Sequence, residues 1–147
     1  MDKEVIKVSP ISDMLAKGKV PLSPAVKANG FVFVSGLPPL DRKTGEIVKG
    51  DISAQTELSL ENVKAALEAA GSSLDKIVKV TIYIANAAHF PTVNSIYAHY
   101  FPHDPPARTF VAVGSWPLEF DIEIECIALA LSAQRNAADM LLESFAT

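Results

Sequence analysis

A single cysteine, Cys126, stands in 147 residues. One thiol excludes an intramolecular disulfide and fits a reducing compartment. Basic residues are scarce too: 13 Lys and Arg face 17 Asp and Glu, the net charge is −4, and no basic cluster forms. Phosphate backbones are bound by concentrated Lys and Arg, so nucleic acid is not expected as a partner. No apolar run approaches the roughly 18 residues that suggest a membrane span, so no membrane partner is expected. The opening Met1-Asp2-Lys3-Glu4 is charged and lacks a signal-peptide apolar core, which makes cytoplasmic residence the expectation. Internal repeats and low-complexity segments are missing. So is a nucleophile elbow: Ser35 has no glycine two residues before it and reads as a strand-end hydrogen bonder. His99 and His103 stand four apart, but Pro102 lies between them and would break the helix such a pair needs. No metal site is expected.

What is present is apolar. The chain is 49% hydrophobic and 20% charged, the balance of a globular protein. A chain of this length buries about 68–70% of its unfolded surface, enough for one domain without a disulfide or metal staple. That domain is expected over residues 1–131, with 132–147 a C-terminal extension that reads as helical through Ala137, Met140, Leu141 and Leu142.

The pattern of elements is α+β. Glu4 to Ser9 alternates as a short strand, and Ile11 to Pro24, with Gly18, Pro21 and Pro24, reads as loop. Asn29-Gly30 between apolar runs signals a hairpin. Asp51 caps a helix that Gly71 stops, with Leu60, Val63, Leu67 and Ala70 as its buried stripe. Ile77 to Ile84 is a β-branched strand. Phe90 to Phe101 is a second helix, with Pro91 in its first turn and an apolar face of Val93, Ile96, Tyr97 and Tyr100. Pro106 to Val113 and Asp121 to Leu131 are the last strands. The order predicts a mixed six-stranded sheet with two main helices on one face.

The last two strands carry the chemistry. Arg108 sits on the first, Glu123 and Glu125 on the second. Charges in strands this apolar are paired or bind something. A guanidinium grips a carboxylate with two prongs, and a glutamate can hold and activate a water. Arg plus Glu is therefore a minimal kit for hydrolysing a small carboxylate-bearing substrate; a structural Arg–Glu ion pair is the competing reading. Along the last strand Ile122, Ile124, Cys126, Ala128 and Ala130 share one face. That small-residue face suits helix packing and makes Cys126 a buried, inert thiol. The other face carries Glu123, Glu125, Ile127, Leu129 and Leu131 with nothing left in the chain to cover it, which predicts an oligomer interface. Trp116 lies in a turn and fits either a pocket wall or a subunit contact.

Several motifs, in order and spacing over about residues 3 to 130, resemble the RidA/YjgF family. They are Ser23-Pro24-Ala25-Val26-Lys27-Ala28, Phe31-Val32-Phe33-Val34-Ser35-Gly36, Thr44-Gly45-Glu46-Ile47, Leu60-Glu61-Asn62-Val63-Lys64-Ala65, Ala69-Ala70-Gly71, Phe90-Pro91-Thr92-Val93-Asn94, Pro106-Ala107-Arg108-Thr109 and Ile122-Glu123-Ile124-Glu125-Cys126-Ile127-Ala128. The resemblance implies a chorismate-mutase-like α+β fold and a homotrimer with a site at each subunit boundary. It implies hydrolysis of reactive enamines and imines, such as 2-aminoacrylate and 2-iminopropanoate, to 2-oxo acids and ammonia, with no cofactor or metal. By the same resemblance Arg108 binds the substrate carboxylate, Glu123 holds the water, the backbone at Ser35 and Gly36 orients the nitrogen, and Asn94 and Phe90 lie near the site.

Three positions depart from the family pattern. The site tyrosine that follows a proline is Leu22 after Pro21, the small residue two after the arginine is Phe110, and the residue after Ser-Gly is Leu37. Leu22 and Phe110 make the expected pocket more apolar. That keeps two rivals in view: a deaminase for a longer unsaturated amino acid of aminomuconate type, and a non-catalytic small-acid binder. RNA cleavage, ascribed to some relatives, fits poorly with the acidic balance and the missing basic and aromatic stripe. Glu125 is the alternative to Glu123 as the water-holding residue.

Overall fold

Asn29 and Gly30 both adopt left-handed backbone, φ 51° and 80°, so the two residues form the tight turn that joins β2 (Ala25–Ala28) to β3 (Phe31–Leu37). That hairpin anchors one half of a six-stranded sheet with the order β1-β2-β3-β6-β4-β5, where β1 is Glu4–Ile6, β4 Ile77–Ile84, β5 Ala107–Ala112 and β6 Ile122–Leu129. All neighbours are antiparallel except β4 and β5, which run parallel and are linked across α3 (Phe90–Tyr100). The computed structural model describes residues 2–130, 141–142 and 144–145. The expected extension at 132–147, and Leu131 before it, fall largely outside the described residues; Leu141, Leu142, Ser144 and Phe145 are helical, and the three apolar side chains among them are exposed.

The expected α+β layout is present, with one correction. Ile11 to Lys17, read as loop from the sequence, is a helix, α1. Ile11, Met14 and Leu15 have helical spacing, and Ile11 is buried while Met14 and Leu15 pack against the core. Seven residues next to Gly18 and Pro21 are too few for periodicity to outweigh the breakers. The helix is held by tertiary packing, as short helices generally are.

The long helix, α2, spans Ile52–Ala69. Asp51 caps it by accepting from the Ala54 N–H at 2.8 Å, and Gly71 at φ +74° stops it. Leu60, Val63, Leu67 and Ala70 are buried, together with Val93 and Tyr97 of α3, against Val80, Ile82, Ile122, Ile124, Cys126 and Ala128 of the sheet. Each fully buried Leu or Ile contributes about 1.5–3 kcal/mol relative to exposure. Burial alternates strictly along β6, so the other face of the sheet carries Glu123, Glu125, Ile127 and Leu129, half-exposed, beside Phe33 and Tyr83. No helix among the described residues covers that face.

Candidate functional site

Arg108 lies on the edge strand β5 opposite Val80, and Phe110 opposite Ile82. Val80 and Ile82 are core residues, so Arg108 and Phe110 point to the helix side of the sheet. There α3 receives the guanidinium. Arg108 Nη2 donates to Asn94 Oδ1 at 2.7 Å, and its central carbon lies 4.7 Å from the Tyr97 ring centroid and 5.7 Å from that of Phe90. Phe90 in turn meets Phe110 edge-on at 4.8 Å. Cation–π contact on two rings, each about 0.5–1 kcal/mol or more where water is excluded, steadies the group without neutralising it. Among the described residues no carboxylate pairs with Arg108, so the ion-pair reading of Arg108 finds no partner here. The guanidinium borders a hollow of about 390 Å³ together with Asn94, Tyr97, Phe101 and Pro106. The Tyr97 hydroxyl is buried without a hydrogen-bond partner, and burial pushes its pKa up to about 12.

Glu123 belongs to the other face. It pairs with Tyr83 across the sheet and packs on Gly36: a Cβ at position 36 would meet Glu123 Oε1 at 1.8 Å. The close approach depends on a β-bulge, in which Ser35 and Gly36 stand between the pairs Val34–Cys126 and Leu37–Ile124, where β6 has only Glu125. Ser35 is tied down by its own chain, its hydroxyl donating to Ser23 O at 2.7 Å and its N–H to Pro24 O at 2.9 Å. The two glutamates differ. Glu125 Oε1 accepts from the Tyr83 hydroxyl at 2.7 Å, whereas Glu123 has no hydrogen bond or cation among the described residues. Burial, and then repulsion from Glu125, hold the Glu123 carboxyl above the usual glutamate range. Of the two, Glu123 is the one whose carboxyl no other side chain among the described residues engages.

The eight residues singled out from the sequence therefore form separate groups. Arg108, Asn94, Phe90 and Phe110 come together on the helix side, and Glu123, Gly36 and Ser35 on the bare side. β4 runs between β5 and β6, so the kit is not assembled within one chain. Leu22 is half-exposed beside Ser23, on a shallow groove of about 320 Å³ with Val5, Leu15 and Val20. Another hollow, about 550 Å³ among Lys64, Asp75, Tyr100 and His103, touches neither Arg108 nor Glu123. Trp116 stacks on Phe120 at 4.7 Å, a contact within its own chain. Cys126 is buried, and its thiol is pushed up to about 12 by burial. The sequence reading missed Tyr97 as the support of Arg108. Its helical spacing marked it only as apolar face.

An α+β domain with an aromatic-backed arginine on the helix side of its sheet and, among the described residues, an unpaired carboxylate on the other face is the class these features define. Residues 15–130 match the family described as Endoribonuclease L-PSP. The chain is 52% identical over 108 residues to a RutC family protein of Pyrococcus horikoshii, covering 74% of this chain and 86% of that one. It is 47% identical over 108 residues to Reactive Intermediate Deaminase A, chloroplastic, of Arabidopsis thaliana, covering 74% of this chain and 58% of the relative. The crystal structure of E. coli TdcF with bound serine superposes with a TM-score of 0.70 at 39% identity, over 74% of this chain and 87% of that one. The chain belongs to the RidA/YjgF family.

Proposed function

We propose that this protein is a cofactor-free deaminase that hydrolyses imines of small amino acids, and enamines after tautomerisation, to 2-oxo acids and ammonia. The observation that carries the reading is Arg108, a half-buried, aromatic-backed guanidinium with no carboxylate partner among the described residues. An arginine so placed is built to receive a carboxylate from outside. A relative named as a reactive intermediate deaminase, and one whose structure holds serine, an amino acid with such a carboxylate, support the choice of ligand.

The chemistry is an addition followed by an elimination. Arg108 holds the substrate carboxylate, and the backbone at Ser35 and Gly36 orients the nitrogen. Glu123 takes a proton from water as the water oxygen bonds to the imine carbon and the C=N electron pair moves to nitrogen. Glu123 returns this proton to nitrogen, giving the neutral carbinolamine. It then takes the hydroxyl proton as the C=O bond forms and passes it to nitrogen as the C–N bond breaks, so ammonia leaves with both water protons and the 2-oxo acid remains. Imines are reactive enough that positioning supplies much of the acceleration.

Because Arg108 and Glu123 lie on opposite faces of one sheet, the reading includes a homotrimer in which the arginine group of one copy meets the Glu123 face of the next. Phe33, Ile127 and Leu129 supply the apolar contact, and Arg108 supplies the cation that Glu123 lacks. The acidic balance that weighs against RNA as substrate is compatible with this arrangement.

The test is ammonia release from freshly generated imines by wild type, Arg108→Ala, Glu123→Gln and a co-expressed mixture of the two variants. Each variant alone should be nearly inactive. Random mixed trimers should regain about one quarter of the wild-type sites, since a boundary works when each side keeps its own residue. No recovery in mixed trimers would show that the site is not shared. No ammonia from the wild type would leave a small-acid binder in its place.

A further inference from the structure

We propose that Gln55 and Ser59, buried polar residues four apart on α2, are positioning residues that set the Glu123 carboxylate against Gly36. This rests on Glu123 as the reacting carboxylate, and goes beyond it to what holds that carboxylate in place.

Glu123 meets β3 at its bulge, where the β3–β6 ladder is interrupted. A slip of one residue in β6 would turn Glu123 to the helix side and Ile122 or Ile124 to the bare face. The ladder to β4, unbroken from Ile122 to Ile127, sets the register of β6, but at the bulge contacts outside the ladder must hold the two strands at their fine spacing. Gln55 does so for β6. It is 2% exposed, its Nε2 donates to Asp121 Oδ2 at 2.8 Å and to Gly50 O at 2.9 Å, and its Oε1 accepts from the Asp121 N–H at 2.8 Å. Asp121 is two residues before Glu123. Ser59 does the same for β3: fully buried, it donates from Oγ to Leu37 O at 2.7 Å, one residue beyond Gly36. One face of one helix thus grips the two strands on either side of the Glu123–Gly36 contact. Asn62 continues the stripe, donating from Nδ2 to Pro38 O at 3.0 Å and Leu40 O at 2.9 Å. Polar side chains buried beside Leu60 and Val63 cost desolvation that leucine would not. The geometry at Glu123 is what they return.

A merely structural tie would change stability alone, so the readout is the titration of Glu123, followed by carboxyl-carbon NMR in wild type, Gln55→Met and Ser59→Ala. Within its own chain the groups facing Glu123 are Glu125 on its strand, the Tyr83 phenol on β4 and the Gly36 backbone on β3; in the proposed trimer Arg108 of the next copy joins them. Glu125 therefore serves as the internal control. The expected result is a Glu123 midpoint displaced from its wild-type value in both variants while the Glu125 midpoint stays. With imine substrate, kcat should fall about tenfold and KM change by less than about twofold. An unmoved Glu123 midpoint with only a lower Tm would overturn the proposal. Should Gln55→Met not fold, Ser59→Ala, which loses a single hydroxyl, decides alone. If the wild type released no ammonia, the deaminase reading would fall, while the titration would still decide whether Gln55 and Ser59 position Glu123.

Discussion

Arg108 reaches its geometry with partners from its own chain. Asn94 holds one prong, Tyr97 and Phe90 back the guanidinium, and Phe110 locks Phe90 in turn. Glu123, on the opposite face of the same sheet, has a close backbone neighbour in Gly36, a like charge in Glu125 and, among the described residues, no counter-ion. The first group is finished before any ligand arrives; the second is held in an unfavourable state that a ligand, a water or another subunit would relieve. Binding sites gain from pre-organisation, whereas acid–base groups gain from a displaced pKa. The proposed roles ask for those two conditions, and the two faces of this sheet differ in that way.

The sharpest break in this comparison is Arg108→Lys. A point charge cannot reproduce two parallel hydrogen bonds, so kcat/KM should fall by about a thousandfold with the circular dichroism spectrum unchanged. Wild-type turnover in that variant would make the arginine face merely structural.

Glu123→Gln comes next. It removes the proton acceptor but keeps shape, so kcat should fall by about a hundredfold or more with little change in KM, and Glu125→Gln should do less. Stability should move the other way. The folded protein holds the Glu123 proton more tightly than the unfolded chain does. Its contribution is therefore full below the ordinary glutamate pKa of 4.5 and is lost as pH rises through the raised folded value. In an Arg108→Ala background, where the next copy supplies no cation, the neutral amide should raise Tm at pH 7, and a pH series of thermal melts should show the gap to the Arg108→Ala parent closing toward acid. A double variant less stable than that parent at pH 7 would mean that some other cation reaches Glu123.

Gly36→Ala probes the same face through the backbone. The new methyl group takes the place of the carboxylate, a flexible side-chain end that can swing away. Turnover should fall about tenfold while Tm changes little, because the cost lies in placement rather than folding. A large loss of stability, seen by thermal melt, would show instead that Glu123 cannot move.

Leu22→Tyr should have the smallest effect. A hydroxyl at this half-exposed position adds one hydrogen bond to a polar substrate group, about 0.5–1.5 kcal/mol, or roughly threefold to tenfold. The ratio of kcat/KM for an alanine-derived over a leucine-derived imine should rise by that factor. An unchanged ratio would move substrate choice to Phe110, on the arginine face.

Much of this was legible in the chain. Asn29-Gly30 can form its turn because both residues tolerate positive φ, and Asp51 and Gly71 bound α2 for equally local reasons. The alternation of Ile122, Ile124, Cys126 and Ala128 with Glu123, Glu125 and Ile127 told which side of β6 is buried, since strand periodicity is a property of consecutive residues. Other features were readable in principle and passed over. Gln55, Ser59 and Asn62 lie on the same helix face as the apolar stripe, but a search for apolar spacing does not see polar groups whose partners are distant carbonyls. Helix α1 hid behind its glycine and prolines.

The separation of Arg108 from Glu123 is of a different kind. Their strands are consecutive in sequence, yet β4 lies between them, and strand order follows from which long-range pairings bury the most surface. Arg108, Phe110 and Ala112 alternate with Ala107, Thr109 and Val111 without an obvious inner side, so only packing against α3 chose the face for the arginine. Local chemistry in the chain was enough for turns, caps, strand faces and the residues worth watching. Which of those residues meet, and on which side of the sheet, waited on contacts between segments far apart along the chain, whose register no local pattern encodes.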